Sequence, residues 1–388
     1  MTSRRVPLGV EPNAWSRRRQ ARLEAGERLL DLSDFDPTRA GLSPLASAQA
    51  ALAALAPAVH RPEPAGSASA RAAVAAALAD RGARVTPERI VLTSSTSGAY
   101  AQLFRLLADP GERVLGPVPG YPLIEPIARA EGVRYAGYPL RYDGAWRLDR
   151  EALERAARGA RALVVIEPSH PTGAVLDPDD RAFVVALARR ERLAIVADEV
   201  FGDFPAPGAE PPATWLNERS TLTFVLGGLS KRCGLPHLKL GWIVVDGPDR
   251  ERRDALAGLD WLADLFLSVA SPVQAALPAL LDLRHAFGAR VRERVRTNLA
   301  ALDALAGRRP ELSRLPLAGG WSAVLRVPAW RGDEAWALAL LERGVSIHPG
   351  ALYDFVEHQH LVASLIVEPA VMAEGLARLE AELASAPP

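Results

Sequence analysis

A chain of 388 residues is longer than one ordinary compact core accommodates, so a large domain with a smaller companion is expected. Its 46 basic residues balance 46 acidic ones and no run of about 18 apolar residues occurs, which argues against nucleic-acid and membrane partners. A single cysteine, Cys233, excludes an intramolecular disulfide and a multi-cysteine zinc site; with no apolar run behind the opening MTSRRVPLGV, the expected compartment is the cytoplasm.

In chain order, short β-branched runs alternate with helical stretches from Arg89 onward. The runs are RIVLT, RVLG, VRYAGY, ALVVIEP, LAIVADEV, LTFVLGG and GWIVV. Between the first two, Tyr100, Leu103, Phe104 and Leu107 repeat at helical spacing, predicting an amphipathic helix over 97–109 that Asp109-Pro110-Gly111 ends. Segments 148–158 and 177–190 read the same way, so the connections suit βαβ crossovers and a mostly parallel α/β sheet. Beyond residue 275 the character changes. An Arg-rich helix over 284–306, strands over 322–327 and 361–367, and a last helix after Pro369 predict a second, α+β domain.

Several places carry chemistry. In LGGLSKRCGLPHLKLGW, Ser230 and Lys231 lie in a Gly-rich turn between two predicted strands. A lysine at the mouth of a cleft is desolvated, which lowers its pKa and frees its amine as a nucleophile; the same pair also describes a solvated loop. Asp198 ends the nearly all-apolar strand LAIVADEV, where α/β folds place ligands. A carboxylate there needs a cation or a donor, and a pyridinium N–H is one such partner; a helix cap and a metal ligand are the others. Ser95, Thr96 and Ser97 sit where a strand passes into a helix, a position that favours a phosphate and equally an ordinary helix cap. Tyr121, in the turn PGYP, offers a ring to a flat heterocycle or simply packs within its loop.

The order of these pieces resembles that of the class I/II aminotransferases, the fold-type I pyridoxal 5′-phosphate (PLP) enzymes, over almost the whole chain. SKRCGLPHLKLGW is similar to the family's S-K-x-x-G-L-x-x-x-R/K-x-G-W block, VADEVF to its D-E-V-Y/F strand and HPTG to its N-P-T-G turn. HRPEPAG and GVSIHPGALYDF match two further family segments. The resemblance implies a three-layer α/β fold: an N-terminal arm and part of the small domain over 1–45, a large PLP-binding domain over 46–275, and a small domain over 276–388. It implies that Lys231 carries PLP as a Schiff base and shuttles a substrate proton. Asp198 would meet the pyridine nitrogen, Tyr121 stack on the ring, and Ser95, Thr96 and Ser97 hold the phosphate. It further implies a homodimer, with His60 reaching into the partner's site, and a small-molecule amino donor and acceptor.

The chain departs from the family at positions around the cofactor and substrate. His170 replaces the asparagine that donates to the ring O3′, and Phe201 replaces the tyrosine that shares the task. His60 stands for a tyrosine of the phosphate pocket, Gly228 for a serine, and Lys239 for the phosphate-binding arginine, which keeps the charge but loses the bidentate fork. Val362 replaces the arginine that clamps the substrate α-carboxylate, so standard amino-acid specificity does not follow. Arg39 is a candidate substitute, although an exposed loop arginine describes it as well. Cys233 is read as a small buried residue. The leading expectation is transamination; a PLP-dependent lyase or racemase on the same fold, and a non-catalytic PLP-fold protein, are the alternatives.

Overall fold

The computed structural model describes residues 2–7, 9–55 and 59–385. Its centre is an eight-stranded sheet in the order Ile90–Thr93, Gly241–Asp246, Thr223–Gly228, Ala194–Asp198, Ala160–Ile166, Arg113–Val118, Arg134–Tyr142 and Trp146–Leu148. Gly241–Asp246 runs antiparallel to both neighbours and Trp146–Leu148 to its one neighbour; the other pairings are parallel. The expected α/β class with a mostly parallel sheet is what the chain adopts.

Both faces of this sheet are covered at its centre, so strands Ala160–Ile166, Ala194–Asp198, Thr223–Gly228 and Gly241–Asp246 are almost wholly buried with no polar alternation, whereas the edge strands Arg134–Tyr142 and Trp146–Leu148 are partly exposed. Along Ala160–Ile166, Leu163 and Val165 enter one core while Ala162, Val164 and Ile166 enter the other. The first core is closed by helices Ala68–Ala79, Pro178–Glu191 and Ser271–Asp282, the second by Thr96–Leu107, Ile124–Ala130 and Asp249–Asp264. This is a three-layer arrangement.

Helix limits differ from the sequence expectation where side chains cap them. The helix expected over 148–158 spans Arg150–Ala157, because Asp149 accepts from the Ala152 N–H at 3.0 Å while Leu148 closes an edge strand. Asp177 caps Pro178–Glu191 by accepting from the Asp180 N–H at 2.7 Å. Helices Leu45–Ala53 and Ala68–Ala79 were not legible, since alanine on every side erases the contrast between apolar and polar faces, and Ala14–Glu24 was not because it is polar nearly all round and buries only Trp15.

The remaining core belongs to a four-stranded antiparallel sheet, ordered Ser313–Arg314, Ser322–Arg326, His360–Ser364, His348–Pro349, with helices Arg284–Arg308, Asp333–Glu342 and Pro369–Ala384. Leu30–Asp31 pairs in parallel with Val345–Ser346, and Trp15, Leu32 and Leu42 join this core from the N-terminal segment. Helix Ser271–Asp282 buries Ala276, Leu277 and Leu280 against the large sheet, whereas Arg284–Arg308 buries Phe287, Val291 and Val295 in the smaller core. The change of core therefore comes at Leu283, and the limit expected at 276 falls inside a helix of the large domain. No helix among the described residues is long and apolar enough to cross a membrane.

Candidate active site

The C-terminal ends of Ala194–Asp198 and Thr223–Gly228 open on a cavity of about 360 Å³, within the usual range for small-molecule sites. Phe35, Thr96, Tyr121, His170, Asp198, Phe201, Gly228, Ser230, Lys231, His348 and Tyr353 line it, with Pro122, Leu123, Ile166, Val200 and Leu240. Segments far apart in sequence thus meet at one place.

Lys231 is set by a tight backbone. A Cβ on Gly228 would lie 3.1 Å from the Leu240 carbonyl oxygen, and one on Gly227 would lie 2.5 Å from Trp242 Nε1. The approach at Gly228 accounts for glycine at the position where the family has a serine. The Leu229 N–H then donates to Leu240 O at 3.0 Å, and the Leu235 N–H to Leu229 O at 3.1 Å, pinning both ends of the loop. The Lys231 amine donates to the Phe35 carbonyl at 3.5 Å and lies 5.0 Å from the Trp321 ring centre and 5.7 Å from that of Phe201. Burial lowers its pKa to about 8, against the pull of Asp36, Asp198 and Asp34. A substantial share of the amine is therefore neutral near physiological pH. Burial pushes the neighbouring Cys233 thiol up to about 12, which keeps it protonated and unreactive.

Asp198 is buried, and its two oxygens accept from the Val200 N–H at 3.1 Å and the Tyr100 hydroxyl at 2.9 Å. Burial raises its pKa to about 6, while those two bonds pull the other way. A carboxylate held at this depth is stabilised by a further cationic donor from the cavity.

Thr96 opens the 12-residue helix Thr96–Leu107 at the cavity wall, where free N–H groups and the helix dipole suit an anion. Ser95 caps this helix, its Oγ accepting from the Gly98 N–H at 3.0 Å, and neither Ser95 nor Ser97 lines the cavity. Tyr121 lies on the wall with its ring centre 6.4 Å from that of His170. Ser230 lines the wall beside Lys231. His170 binds Ser322 Oγ through Nδ1 at 2.7 Å, and burial pushes its pKa down to about 3, with Lys231 and His348 adding to the effect. Phe201 is buried against Trp321, ring centres 5.3 Å apart.

Two expected contacts lie elsewhere in the chain. Lys239 is exposed, in a left-handed conformation at φ 50°, and is not part of the wall. His60 is exposed beside Arg61, Pro62 and Leu267 and does not line its own chain's cavity.

Val362 is fully buried, opposite His348 across the strand pair and packed with Leu315, Val324, Tyr353 and Phe355. Arg39 does not replace the missing clamp. Its guanidinium is engaged by Asp34 at 2.6 and 2.7 Å and by Asp36 at 3.2 Å, and its side chain is 67% exposed. Among the described wall residues, Lys231 is the only lysine or arginine.

Phe35, Tyr100, Trp321, His348 and Tyr353 were missed as site residues. Helical spacing places Tyr100 on the apolar face of its helix and says no more; His348 and Tyr353 lie in the family-like segment GVSIHPGALYDF, while no local pattern encodes the approach of Phe35 and Trp321. The combination of a desolvated amine, a buried carboxylate, an aromatic wall and a helix start fits PLP: Lys231 for its aldehyde carbon, Asp198 for its ring nitrogen, the Thr96 end for its phosphate.

Comparisons with known proteins bear on the family and the fold. The family model described as aminotransferase class I and II matches residues 33–363. Tyrosine aminotransferase of Mus musculus is 34% identical over 201 residues, covering 50% of this chain and 43% of that protein. S-alkyl-thiohydroximate lyase of Arabidopsis thaliana is 32% identical over 207 residues, covering 51% and 44%. The matched region thus spans less than half the length of these curated relatives. An alanine aminotransferase from Pyrococcus furiosus superposes over 100% of both chains with a TM-score of 0.89 at 21% identity, a likeness of fold. The family uses PLP. Matched over most of its length, this chain belongs to the aminotransferase class I and II family.

Proposed function

We propose that the protein is a PLP-dependent aminotransferase that moves an amino group from a small-molecule donor to an oxo acid or aldehyde. One observation carries the reading: the Lys231 amine and the buried Asp198 carboxylate face a single cavity whose wall also holds Tyr121 and the start of the Thr96–Leu107 helix. Bound there, PLP supplies an electron sink for the pair of electrons released when a proton leaves the substrate carbon. Asp198 would hold a positive charge on the ring nitrogen, which deepens that sink. Lys231, once displaced from covalent attachment, has a pKa suited to taking and returning that proton near neutral pH.

The substrate side of the reading is unusual. Phe35, Leu123, Val200 and Tyr353 make much of the wall apolar, and Val362 leaves the family's carboxylate position without a cation. The site therefore suits a donor whose recognition does not depend on a forked arginine contact. A homodimer and a cytoplasmic location complete the proposal, the first supported by family membership and the second by the lone buried thiol.

Purified protein mixed with PLP should develop a visible absorbance band that Lys231→Ala abolishes or shifts. A donor should then convert the bound group to pyridoxamine phosphate and release an oxo compound. Protein that ignores PLP would sink the reading, and release of pyruvate with ammonia but without pyridoxamine phosphate would replace transamination by a lyase reaction.

A further inference from the structure

We infer that Ser322 fixes His170 as the tautomer carrying its proton on Nε2, which makes His170 a hydrogen-bond donor toward the cofactor's ring oxygen. The inference rests on the PLP reading above and gives Ser322 a positioning role that acts through His170.

Ser322, at the start of strand Ser322–Arg326, is buried, and its hydroxyl makes one hydrogen bond among the described residues, to His170 Nδ1 at 2.7 Å. If Nδ1 carried the proton and donated, the serine hydrogen would be left without an acceptor in a dry interior, at a cost of about 1–3 kcal/mol. If the serine donates, its hydrogen is satisfied and the imidazole proton must sit on Nε2. The imidazole is neutral in either case, because desolvation holds its pKa near 3. The groups around it agree. Lys231 and His348 both disfavour a charged His170, while Asp198, Tyr121 and Tyr353 share the cavity wall with it.

The ring is also fixed in direction. Phe35 and Tyr353 meet it edge to face with ring centres 5.1 and 5.2 Å away, which resists a flip that would exchange the two nitrogens. Nε2 has no protein partner among the described residues, and His170 lies on the cavity wall. The chain thus rebuilds, from a histidine and a serine, a neutral donor where an asparagine amide would need no second residue to orient its proton. Phe201 sharpens the point, since it brings no hydroxyl to the same task.

The first test needs no cofactor. Side-chain ¹⁵N NMR of the cofactor-free wild type, with His170 assigned by loss of its signal in His170→Asn, should show the Nε2-protonated form at neutral pH. A wild type protonated on Nδ1 overturns the inference. The second test follows the visible band of the PLP-loaded protein against pH. A donor at the ring oxygen stabilises negative charge there and weakens its hold on the proton shared with the lysine nitrogen. Ser322→Ala should therefore raise the apparent pKa of the band by about half a pH unit or more, that is at least about threefold in the proton equilibrium. Ser322→Thr, which keeps the hydroxyl, should restore the wild-type value. In a His170→Asn background, Ser322→Ala should change nothing. An unchanged band pKa in Ser322→Ala with His170 present overturns the inference. Protein that takes no PLP would defeat the functional reading while the tautomer measurement still stands by itself.

Discussion

The Tyr100 hydroxyl donates to Asp198 Oδ2 at 2.9 Å in an interior where both side chains are buried. The bond favours the ionised carboxylate, the form that a pyridinium requires. Tyr100→Phe should raise the Asp198 pKa beyond its value of about 6 and weaken PLP binding by about 10-fold or more, the worth of a hydrogen bond to a charged group. The acid limb of PLP retention should move to higher pH. Absorbance titrations across pH check both; unchanged affinity with an unmoved limb would mean that another group sets the charge on Asp198.

Asp198 also burdens the cofactor-free fold. Its folded pKa of about 6 lies above the unfolded value near 3.9, so the folded chain binds more protons between about pH 4 and 6. Stability from this group therefore falls as pH rises through that window and stays low above it. Asp198→Asn keeps an oxygen for the Val200 N–H, turns its amide N–H₂ toward the Tyr100 hydroxyl oxygen, and removes the buried charge. It should stabilise the cofactor-free protein at neutral pH by on the order of 1–3 kcal/mol while abolishing tight PLP binding. Urea unfolding measures the first effect, and a less stable variant would contradict it.

Lys231 should capture PLP faster as pH rises through about 8, because only the neutral amine attacks. Among the carboxylates that oppose this lowered pKa, Asp36 acts most strongly. Asp36→Asn should move the rate limb to lower pH, as read from stopped-flow growth of the visible band. A limb that stays in place would remove Asp36 from the field around the lysine.

Arg39 is already saturated by Asp34 and Asp36, and Val362 is sealed in an apolar cluster. Arg39→Ala should therefore change KM for any donor by less than about twofold, since exposed ion pairs contribute little. A screen of amines against the PLP form should find reactive donors that lack an α-carboxylate. Conversion of ordinary α-amino acids alone would refute the role given to Val362.

The motifs at Lys231, Asp198, Tyr121 and Thr96 were legible because each sits at a local break in pattern: a Gly-rich turn, a charge at the end of an apolar strand, a Pro-flanked aromatic, a strand running into a helix. The same local view left two readings open that the fold narrows: the Ser95 hydroxyl caps its own helix, and Arg39 is an exposed loop arginine whose fork is occupied by neighbouring carboxylates. It also left Glu199 unassigned inside VADEVF. That side chain turns away from the cavity into a buried ion pair with Arg81 and accepts from the Trp215 N–H at 2.6 Å.

Sequence by itself determined the α/β class and the presence of βαβ crossovers and singled out Lys231 and Asp198 as candidates, because strand periodicity, turn residues and a charge in an apolar run are all properties of contiguous residues. Tertiary structure alone decided which distant groups complete the site. Phe35 from the N-terminal segment and Trp321, just before strand Ser322–Arg326, approach Lys231, while Ser322 binds His170 and Tyr353 joins the same cavity wall, all contacts between residues far apart in the chain. Burial set the proton affinities as well: desolvation lowers Lys231 and His170 and raises Asp198, and it depends on neighbours that the chain brings together only on folding.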